Sequence, residues 1–360
     1  MIQRNHILTI ATLLVFIGLS NCNDDAESVV SDIESKIDEI VENNINVTTD
    51  PGFTLLIQNE GKIELRKAYG LANVQDGRIY QPETKSYIGS ITKQFTATAI
   101  MILAERELLS VEQHLSEYFP EYPELWKDVT IHHLLAHQSG ISDYLNEHGY
   151  AFDGMTNRDV INYIIDNGYM NFEPGKMFKY SNTGYIILAE LVERITGIPL
   201  DIFCKDEIFS ILGMKNTYFI NENTQVPDDM AVGQDLNGEL FDYTIRTNGD
   251  GGMISTVDDM LLWNNSHHSN LLVSQETFNT MMSPFSDIEN GAYYGYGYII
   301  DNYEGFNLPS GNGGFADIFA YVGRIEEKNF YICLMGNSPN YKLFEELISA
   351  ILEHYFTYDN

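Results

Sequence analysis

The stretch GSITK at residues 89–93 decides the fold, because a long apolar-periodic helix pattern begins directly within it. The helical spacing of the apolar residues predicts a helix over about 91–107. Three residues make nearly one helical turn, so the Ser90 hydroxyl and the Lys93 amine can face the same point. A serine in a first helical turn also lies at the positive end of the helix dipole, which favours developing negative charge.

Ser90 and Lys93 are therefore candidates for a nucleophile and its base. A lysine can activate a serine only if burial or a neighbouring charge lowers the lysine pKa. The Ser-x-x-Lys pattern occurs only once in this chain. On its own, it is equally compatible with an ordinary helix start that carries a surface lysine.

Tyr180-Ser181-Asn182 is the second candidate motif. It follows a turn at 173–176 and precedes an apolar-periodic helix at 185–195, and this context distinguishes it from the other Tyr-x-Asn patterns. At such a junction a phenolate near an ammonium could act as a general base, and the Asn182 amide could hold a substrate carbonyl. The alternative is a buried tyrosine beside a helix cap.

The two motifs and three further segments together resemble those of the β-lactamase-related serine hydrolases, the group of class C β-lactamases and D-alanyl-D-alanine carboxypeptidases. The segments that carry the resemblance follow the family order from about residue 28 to the end. They are residues 89–93, 129–141, 174–182, 212–217 and 251–256.

The resemblance implies a role for each of four residues, without metal or organic cofactor. Ser90 would be the nucleophile that forms an acyl-enzyme, and Lys93 would belong to its base network. Tyr180 would pass the proton to the leaving group, and Asn182 would position the substrate or Lys93. The Ser90 backbone N–H would donate to the oxyanion, and a donor on the strand after the third family motif would assist it.

This chain differs from the family at the third family motif. In the family a Lys or His precedes Ser, Thr or Gly and then Gly, usually with Gly-Phe a few residues later. Here residues 308–315 read LPSGNGGF, so Pro309 occupies the cationic position and the spacing is one residue short. The candidate substrate-binding residues are Ser310, Gly311, Asn312 and Gly313.

Proline offers neither a charge nor an N–H donor. In the family, the cation at this position helps to bind a carboxylate of the substrate. A hydrogen bond to a charged group contributes about 1.5–3 kcal/mol, so the absence of the cation predicts roughly ten- to hundred-fold weaker binding of that carboxylate. This favours an esterase or an unusual peptidase over a true β-lactamase. Arg246 or Lys176 is an alternative source of the charge.

The order of elements predicts the fold class. Strand patterns occur near both ends and helices fill the middle. We expect strands at 53–58, 63–69, 296–301, 317–322 and 330–335, and helices at 27–44, 91–107, 130–137, 157–167, 183–196, 201–212 and 343–355. This distribution predicts an α/β (α+β) fold: one antiparallel sheet from about 28–80 and 290–360, with a mostly helical region inserted at about 105–250. The resemblance implies a β-lactamase/transpeptidase-like domain over 28–360.

The N-terminus reads as a targeting segment. Residues 1–22 contain a twelve-residue apolar run, which is too short for a membrane span and typical of a signal peptide. The run ends at Leu19-Ser20-Asn21-Cys22, which resembles a lipobox although Asn21 stands where Gly or Ala is usual. The resemblance implies lipidation of Cys22 and a place in the bacterial cell envelope; plain secretory cleavage is the alternative. The polar and acidic residues after Cys22 predict a short tether at 23–27.

Composition excludes several classes of function. The 360 residues carry a net charge of −32, which argues against nucleic-acid binding because a phosphate backbone needs a basic face. Three cysteines without a C-x-x-C pair exclude a thiolate zinc cluster. Cys204 and Cys333 are either buried thiols or a disulfide.

A histidine group at 132, 133 and 137 raises a metal hypothesis. No acidic residue accompanies it in H-E-x-x-H order, so we expect no metal site. The remaining rival to an enzyme that acts on a small-molecule or peptide substrate is a catalytically silent envelope lipoprotein, a binder or sensor. The joint presence of Ser90, Lys93, Tyr180 and Asn182 favours the enzyme.

Overall fold

The computed structural model describes residues 24–151, 154–221, 227–234, 246–289, 291–315, 318–338 and 340–357. The predicted export segment at 1–22, with Cys22, lies outside them, as does Asp317 at the start of a predicted strand. Of the helices in the described part of the chain, none is long and apolar enough to cross a membrane.

A large antiparallel sheet forms the centre of the fold and is built from both ends of the chain. Strands from the two ends meet where Leu55 pairs with Leu334. Within the described residues the sheet has eight strands, in the spatial order β2 (Lys62–Tyr69), β1 (Phe53–Asn59), β13 (Phe330–Gly336), β12 (Ile318–Ile325), β11 (Phe306–Phe315), β10 (Ile299–Tyr303), β9 (Ala292–Tyr294) and β8 (Ser286–Glu289). The predicted antiparallel sheet with flanking helices is confirmed.

Short strands and helices complete the structure. The short strands are β3 (Leu71–Asn73), β4 (Arg78–Ile79), β5 (Ser86–Tyr87), β6 (Tyr218–Phe219) and β7 (Met253–Ser255). The helices are α1 (Asp24–Asn44), α2 (Thr92–Glu105), α3 (Leu115–Tyr118), α4 (Ile131–Leu135), α5 (Asn157–Asn167), α6 (Asn182–Thr196), α7 (Leu200–Cys204), α8 (Ser210–Leu212), α9 (Val257–Ser266), α10 (Gln275–Met281) and α11 (Tyr341–Phe356). A π-helical turn at Lys205–Phe209 joins α7 to α8, and 3-10 turns lie at Gly89–Ile91, Glu124–Trp126 and Glu326–Lys328.

Strand β1 is covered on both faces, which explains why its sequence is almost continuously apolar. Leu55 lies in a buried cluster with Ile37 of α1 and Leu347 of α11. Leu56 faces the other way, into the cluster that contains Phe95 of α2. The sheet therefore separates the two terminal helices from the helical region.

Helix α2 is buried along its length from Thr92 to Leu103, so it is a central helix rather than a surface one. It contacts α6 and α7, and the 3-10 turn Gly89–Ile91 that precedes it contacts β11. The first turn of α2 consequently lies at the boundary between the sheet and the helical region, where a cleft can open.

Among the predicted element starts, those of one strand and one helix differ most from the structure. The strand predicted at 296–301 begins only at Ile299, because Gly297 has a φ of +85° and turns the chain. A β carbon at Gly297 would lie 2.9 Å from the Lys93 carbonyl oxygen, so the turn packs against the start of α2. Helix α1 begins at Asp24, within the predicted tether at 23–27.

Cys204 and Cys333 are buried free thiols, so the disulfide alternative is not the arrangement found. Burial raises the pKa of the Cys333 thiol to about 12. Both residues therefore serve as small apolar packing groups.

Candidate active site

Ser90 lies half-buried in the turn Gly89–Ile91, which leads directly into α2. Gly89 has a φ of +51°, and a β carbon there would come within 2.8 Å of the Gly314 amide nitrogen. A glycine is therefore needed for this turn to approach β11 so closely. The Ser90 side chain is held where the turn, the strand and the helical region meet.

Lys93 lies in the first turn of α2, three residues after Ser90, and is completely buried. Its Nζ donates to Ser90 Oγ (3.0 Å), to Asn182 Oδ1 (2.9 Å) and to the carbonyl oxygen of Asp250 (2.7 Å). These acceptors match the three N–H bonds of an ammonium, which makes the burial of this charged group tolerable. The interpretation of Lys93 as a surface lysine is excluded by this burial.

Tyr180 approaches Ser90 from the loop before α6. Its hydroxyl donates to Ser90 Oγ at 2.8 Å, and Lys93 Nζ lies 4.8 Å from the centre of its ring. Both neighbours thus donate to Ser90 Oγ in this arrangement. The Ser90 proton can be accepted only after Tyr180 or Lys93 has lost a proton of its own.

Asn182 is the first residue of α6, and a buried carboxylate fixes its position. Asp143 accepts hydrogen bonds from the backbone N–H groups of Asn182 and Thr183, and Oδ1 accepts from Asn182 Nδ2 (3.3 Å). The amide is thereby oriented with its oxygen toward Lys93. Sequence reasoning missed Asp143, which adjoins the segment 129–141 and carried no signal of its own.

His137 lies behind Tyr180 and explains how that ring is positioned. Its Nδ1 accepts from the Ser181 N–H (3.2 Å), and its ring centre lies 4.3 Å from that of Tyr180. Complete burial holds the pKa of His137 well below its usual value, so the ring is neutral. His137 belongs to the histidine group behind the metal hypothesis, and it lies beyond the end of α4, where it contacts the loop that carries Tyr180.

The end of β11 lies next to Ser90. A β carbon at Gly313 would fall 2.0 Å from the Ile88 carbonyl oxygen and 3.0 Å from the Ser90 amide nitrogen. Among the described residues, the pairing of β11 with β10 ends at Ser310, which pairs with Ile299. The backbone of 311–315 therefore reaches Ser90 beyond the part of β11 that β10 covers.

The four predicted substrate-binding residues occupy different environments. Ser310 and Gly311 are buried within the sheet, Asn312 is exposed, and Gly313 is buried against the turn before α2. A cavity of about 50 Å³ adjoins Ser90, and from this strand it is Gly314 and Phe315 that line it. The structure thus brings Gly313 to Ser90, whereas Ser310, Gly311 and Asn312 do not line the cavity.

The rest of the cavity wall comes from the helical region and the loop before β7. Apart from Ser90, Gly314 and Phe315, the lining residues are Tyr87, Gly89, Tyr144, Leu145, Ala151, Met155, Asn182, Thr247, Asp250 and Gly251. Of these described residues, Asp250 is the only one with an acidic or basic side chain. Arg246 lines a separate cavity of about 1100 Å³, and Lys176 is exposed, so neither contributes to this wall.

Asp250 is itself buried. Its Oδ2 accepts from the Tyr144 hydroxyl (2.8 Å), but its buried Oδ1 has no hydrogen-bond partner among the described residues. Burial raises the pKa of this carboxyl above its ordinary value, although the Lys93 ammonium opposes the shift. Sequence reasoning did not single out Asp250.

Proteins of known structure share this fold. The octameric penicillin-binding protein homologue from Pyrococcus abyssi is 29% identical to this chain, with a TM-score of 0.79 over 90% of this chain and 76% of that one. The D-amino acid amidase from Ochrobactrum anthropi SV3, solved in complex with D-phenylalanine, gives a TM-score of 0.75 over 91% of this chain and 99% of that one. The amidase is 21% identical, so its likeness concerns the fold alone.

Sequence relatives agree with these structures. Penicillin-binding protein 4* of Bacillus subtilis (strain 168) is 27% identical over 324 residues, which cover 84% of this chain and 71% of that protein. The family model described as Beta-lactamase matches residues 39–355, a range that holds both the central sheet and every residue of the site around Ser90. On this match the chain belongs to the beta-lactamase family.

Proposed function

We propose that the protein is a serine hydrolase that forms an acyl-enzyme on Ser90 and cleaves an ester or an amide. The candidate substrates are D-amino-acid peptides, β-lactam-like compounds and short acyl esters. The observation that carries the proposal is the convergence of Lys93 Nζ (3.0 Å) and the Tyr180 hydroxyl (2.8 Å) on Ser90 Oγ. Membership of the beta-lactamase family supports it.

Acylation begins with removal of the Ser90 proton. A neutral Lys93 amine or a Tyr180 phenolate accepts this proton, and Ser90 Oγ attacks the substrate carbonyl carbon. The Lys93 ammonium, 4.8 Å from the centre of the Tyr180 ring, stabilises a phenolate on Tyr180. Asn182, held by Asp143, keeps Lys93 in place and presents its amide to the substrate.

Charge on the substrate oxygen is stabilised by backbone donors. The Ser90 N–H is one such donor, and the backbone of Gly314 in the cavity wall supplies the other. Tyr180 then delivers a proton to the leaving group, which departs and leaves the acyl group on Ser90. Water hydrolyses this ester when the same groups take up its proton.

The cavity wall also bears on the choice of substrate. Of the described residues that line it, none is an Arg, Lys or His that could bind a substrate carboxylate. An ester or amide substrate that has no carboxylate does not need such a cation for binding. The cavity wall therefore favours these substrates over penicillins.

Export and anchoring belong to the same proposal. Residues 1–22 would direct the chain to the cell envelope, with Cys22 as the lipidated residue ahead of a catalytic domain at 28–360. Expression of the full chain with radiolabelled palmitate should label the wild type and not Cys22→Ala. Equal labelling of both would contradict lipidation at Cys22.

A substrate panel tests the hydrolase. Short nitrophenyl esters, a cephalosporin and D-alanyl peptides should include at least one compound that is turned over, and Ser90→Ala should abolish that turnover while its melting temperature stays near that of the wild type. A folded protein that turns over none of them, or a Ser90→Ala variant that keeps the wild-type rate, would favour the silent binder.

A further inference from the structure

We infer that the protein binds a halide ion such as chloride in the interior cavity between helix α9 and the central sheet. The ligands of the ion are the guanidinium of Arg324 and the side-chain amide of Gln94, which both line this cavity. Ser90 does not line it, so the inference concerns a second site and does not depend on the proposed reaction.

The cavity is small and its wall is partly polar. Its volume is about 10 Å³, which is room for one guest of about the size of a water molecule. A chloride ion is only slightly larger than a water molecule, whereas a phosphate or a carboxylate is much larger. The residues of the wall on which the argument depends are Gln94 of α2, Trp263 and Asn264 of α9, Val322 and Arg324 of β12, and Tyr331 of β13.

The register of the sheet places these groups on one face. Val322 and Arg324 are two residues apart on β12 and therefore point to the same side, and Tyr331 is paired directly with Arg324. Gly311 is the partner of Val322 on the other neighbouring strand. A β carbon at Gly311 would lie 2.6 Å from Gln94 Nε2 and 3.5 Å from the Val322 side chain. The Gln94 amide nitrogen thus lies over the same face of the sheet as Arg324.

The hydrogen bonds around the cavity determine which polar atoms are left without a partner. Gln94 Oε1 accepts from Trp263 Nε1 at 3.1 Å, and because an indole nitrogen can only donate, the remaining amide atom is the donor Nε2. Arg324 Nη2 donates to the exposed side chains of Glu326 and His268. Gln94 Nε2, Arg324 Nε and Arg324 Nη1 are buried and have no hydrogen-bond partner among the described residues.

These unpartnered atoms are mostly donors. Gln94 Nε2, Arg324 Nε and Arg324 Nη1 can only donate, whereas Asn264 Oδ1 is the one unpartnered atom of the described wall that can only accept. The Tyr331 hydroxyl also lacks a partner, and burial holds its pKa well above the usual value, so it keeps its proton. A guest that accepts several hydrogen bonds and donates none matches this surplus of donors, and a halide ion is such a guest.

Charge favours an anion as well. Arg324 is the only charged residue among the described residues that line the cavity. His267 also lines it, but burial holds the pKa of this histidine well below its usual value, so the ring is neutral. Glu326 pairs with the guanidinium from the exposed side and does not line the cavity. The inner side of the Arg324 guanidinium therefore lacks a counter-charge, which an anion supplies.

A water molecule is the competing guest. Its oxygen accepts only two hydrogen bonds, so a single water leaves at least one of the three donor nitrogens unsatisfied. The two guests also predict different effects of salt. A halide that binds the folded protein raises its stability as the halide concentration rises, whereas the stability given by a water does not depend on which anion the salt contains.

The experiment measures the melting temperature of the full chain at pH 7 in mixtures of sodium chloride and sodium gluconate at constant ionic strength. Gluconate is too large for the cavity, so it serves as the inert anion. Above the Kd for chloride, each tenfold rise in chloride should raise the melting temperature by about 2 °C. Gln94→Glu should abolish this dependence, because its carboxylate keeps an acceptor for Trp263 and supplies the negative charge in place of the halide.

Gln81→Glu is the matched control, because it adds the same charge at an exposed position outside the cavity and should keep the wild-type dependence. Equal melting temperatures of the wild type in chloride and in gluconate would overturn the inference and favour the water. A chloride dependence that persists in Gln94→Glu would overturn it too, because chloride would then act elsewhere. If Gln94→Glu does not fold, Arg324→Gln replaces it, and persistence of the dependence there has the same meaning.

Discussion

The two sides of the site contribute different chemistry. The helical side presents side chains, with Lys93 and Tyr180 both within hydrogen-bond distance of Ser90 Oγ. The strand side, at 311–315, contains three glycines and approaches Ser90 through Gly313. The reactive side chains thus come from the starts of two helices. The strand contributes backbone groups, and its glycines allow that backbone to lie close to Ser90.

The largest effect is expected from Tyr180→Phe, which removes a single oxygen from the helical side. Loss of one general acid–base group should lower kcat/KM by about 10²–10⁴-fold on any hydrolysed substrate. The ring contact with His137 remains, so the melting temperature should change little. Steady-state kinetics and a thermal melt on the same sample measure both, and a wild-type rate would remove Tyr180 from the mechanism.

Pro309→Lys tests whether the strand side can regain the missing cation at the position that the sequence match indicated. Pro309 is buried and lines an interior cavity of about 10 Å³ together with the buried Arg324. A second buried cation there should lower the free energy of unfolding by about 3–5 kcal/mol without improving carboxylate binding.

Asn312→Lys is the matched control for this change, because Asn312 is exposed on the same strand. Its free energy of unfolding should stay within about 0.5 kcal/mol of the wild type in chemical denaturation. A Pro309→Lys protein that is fully stable and binds penicillin more tightly would show that the third motif does align at Pro309.

Gly313→Ala adds one methyl group at the closest approach between strand and turn. The new β carbon would meet the Ile88 carbonyl oxygen at 2.0 Å, so the free energy of unfolding should fall by about 1–3 kcal/mol and the rate of Ser90 labelling should fall with it. In Gly184→Ala of α6, the nearest atom is 3.5 Å away, and denaturation should show no loss. Equal stability of the two variants would argue against the close approach.

The smallest effect concerns Glu147, which ties the Asp143 loop to the loop before Tyr180. Partial burial opposes ionisation, but hydrogen bonds, chiefly from Lys179, lower the pKa of Glu147 from 4.5 to about 2. A carboxyl with a depressed pKa stabilises the fold above its unfolded pKa, and this contribution disappears as the pH falls.

Glu147→Gln should therefore lower the free energy of unfolding by up to about 1 kcal/mol at pH 7, with the difference shrinking as the pH falls from about 4.5 toward 2. Thermal melts across this range measure it. Glu124→Gln, at the exposed pair with Lys127, is the control and should show no such trend. A difference that grows toward acid would have the wrong sign for this account.

The fold was predictable because its signals are periodic. Helix α2 differs from the predicted 91–107 by only a residue or two at each end, since its apolar spacing is local information. The strand at Ile299 was placed too early, because the turn at Gly297 depends on contact with the Lys93 carbonyl, which no local pattern encodes.

Only the part of the site that consists of side chains in short sequence motifs was predictable. Ser90, Lys93 and Tyr180 form short motifs at helix starts, and the structure brings them together. Asp250 has a buried side-chain oxygen without a hydrogen-bond partner among the described residues, and such an oxygen is recognised only when its surroundings are known. For the same reason, the contact between His137 and the Tyr180 ring could not be predicted from the sequence, which only argued against a metal site.

The central claim is that Ser90 is a nucleophile activated by Lys93 and Tyr180. The most direct measurement is the rate at which a fluorophosphonate becomes bound to Ser90, followed by peptide mass spectrometry in the wild type, Lys93→Ala and Tyr180→Phe. The account predicts modification confined to the peptide that contains Ser90, slowed by at least about a hundred-fold in a folded Tyr180→Phe or Lys93→Ala. Modification elsewhere, or equal rates in all three proteins, would contradict it.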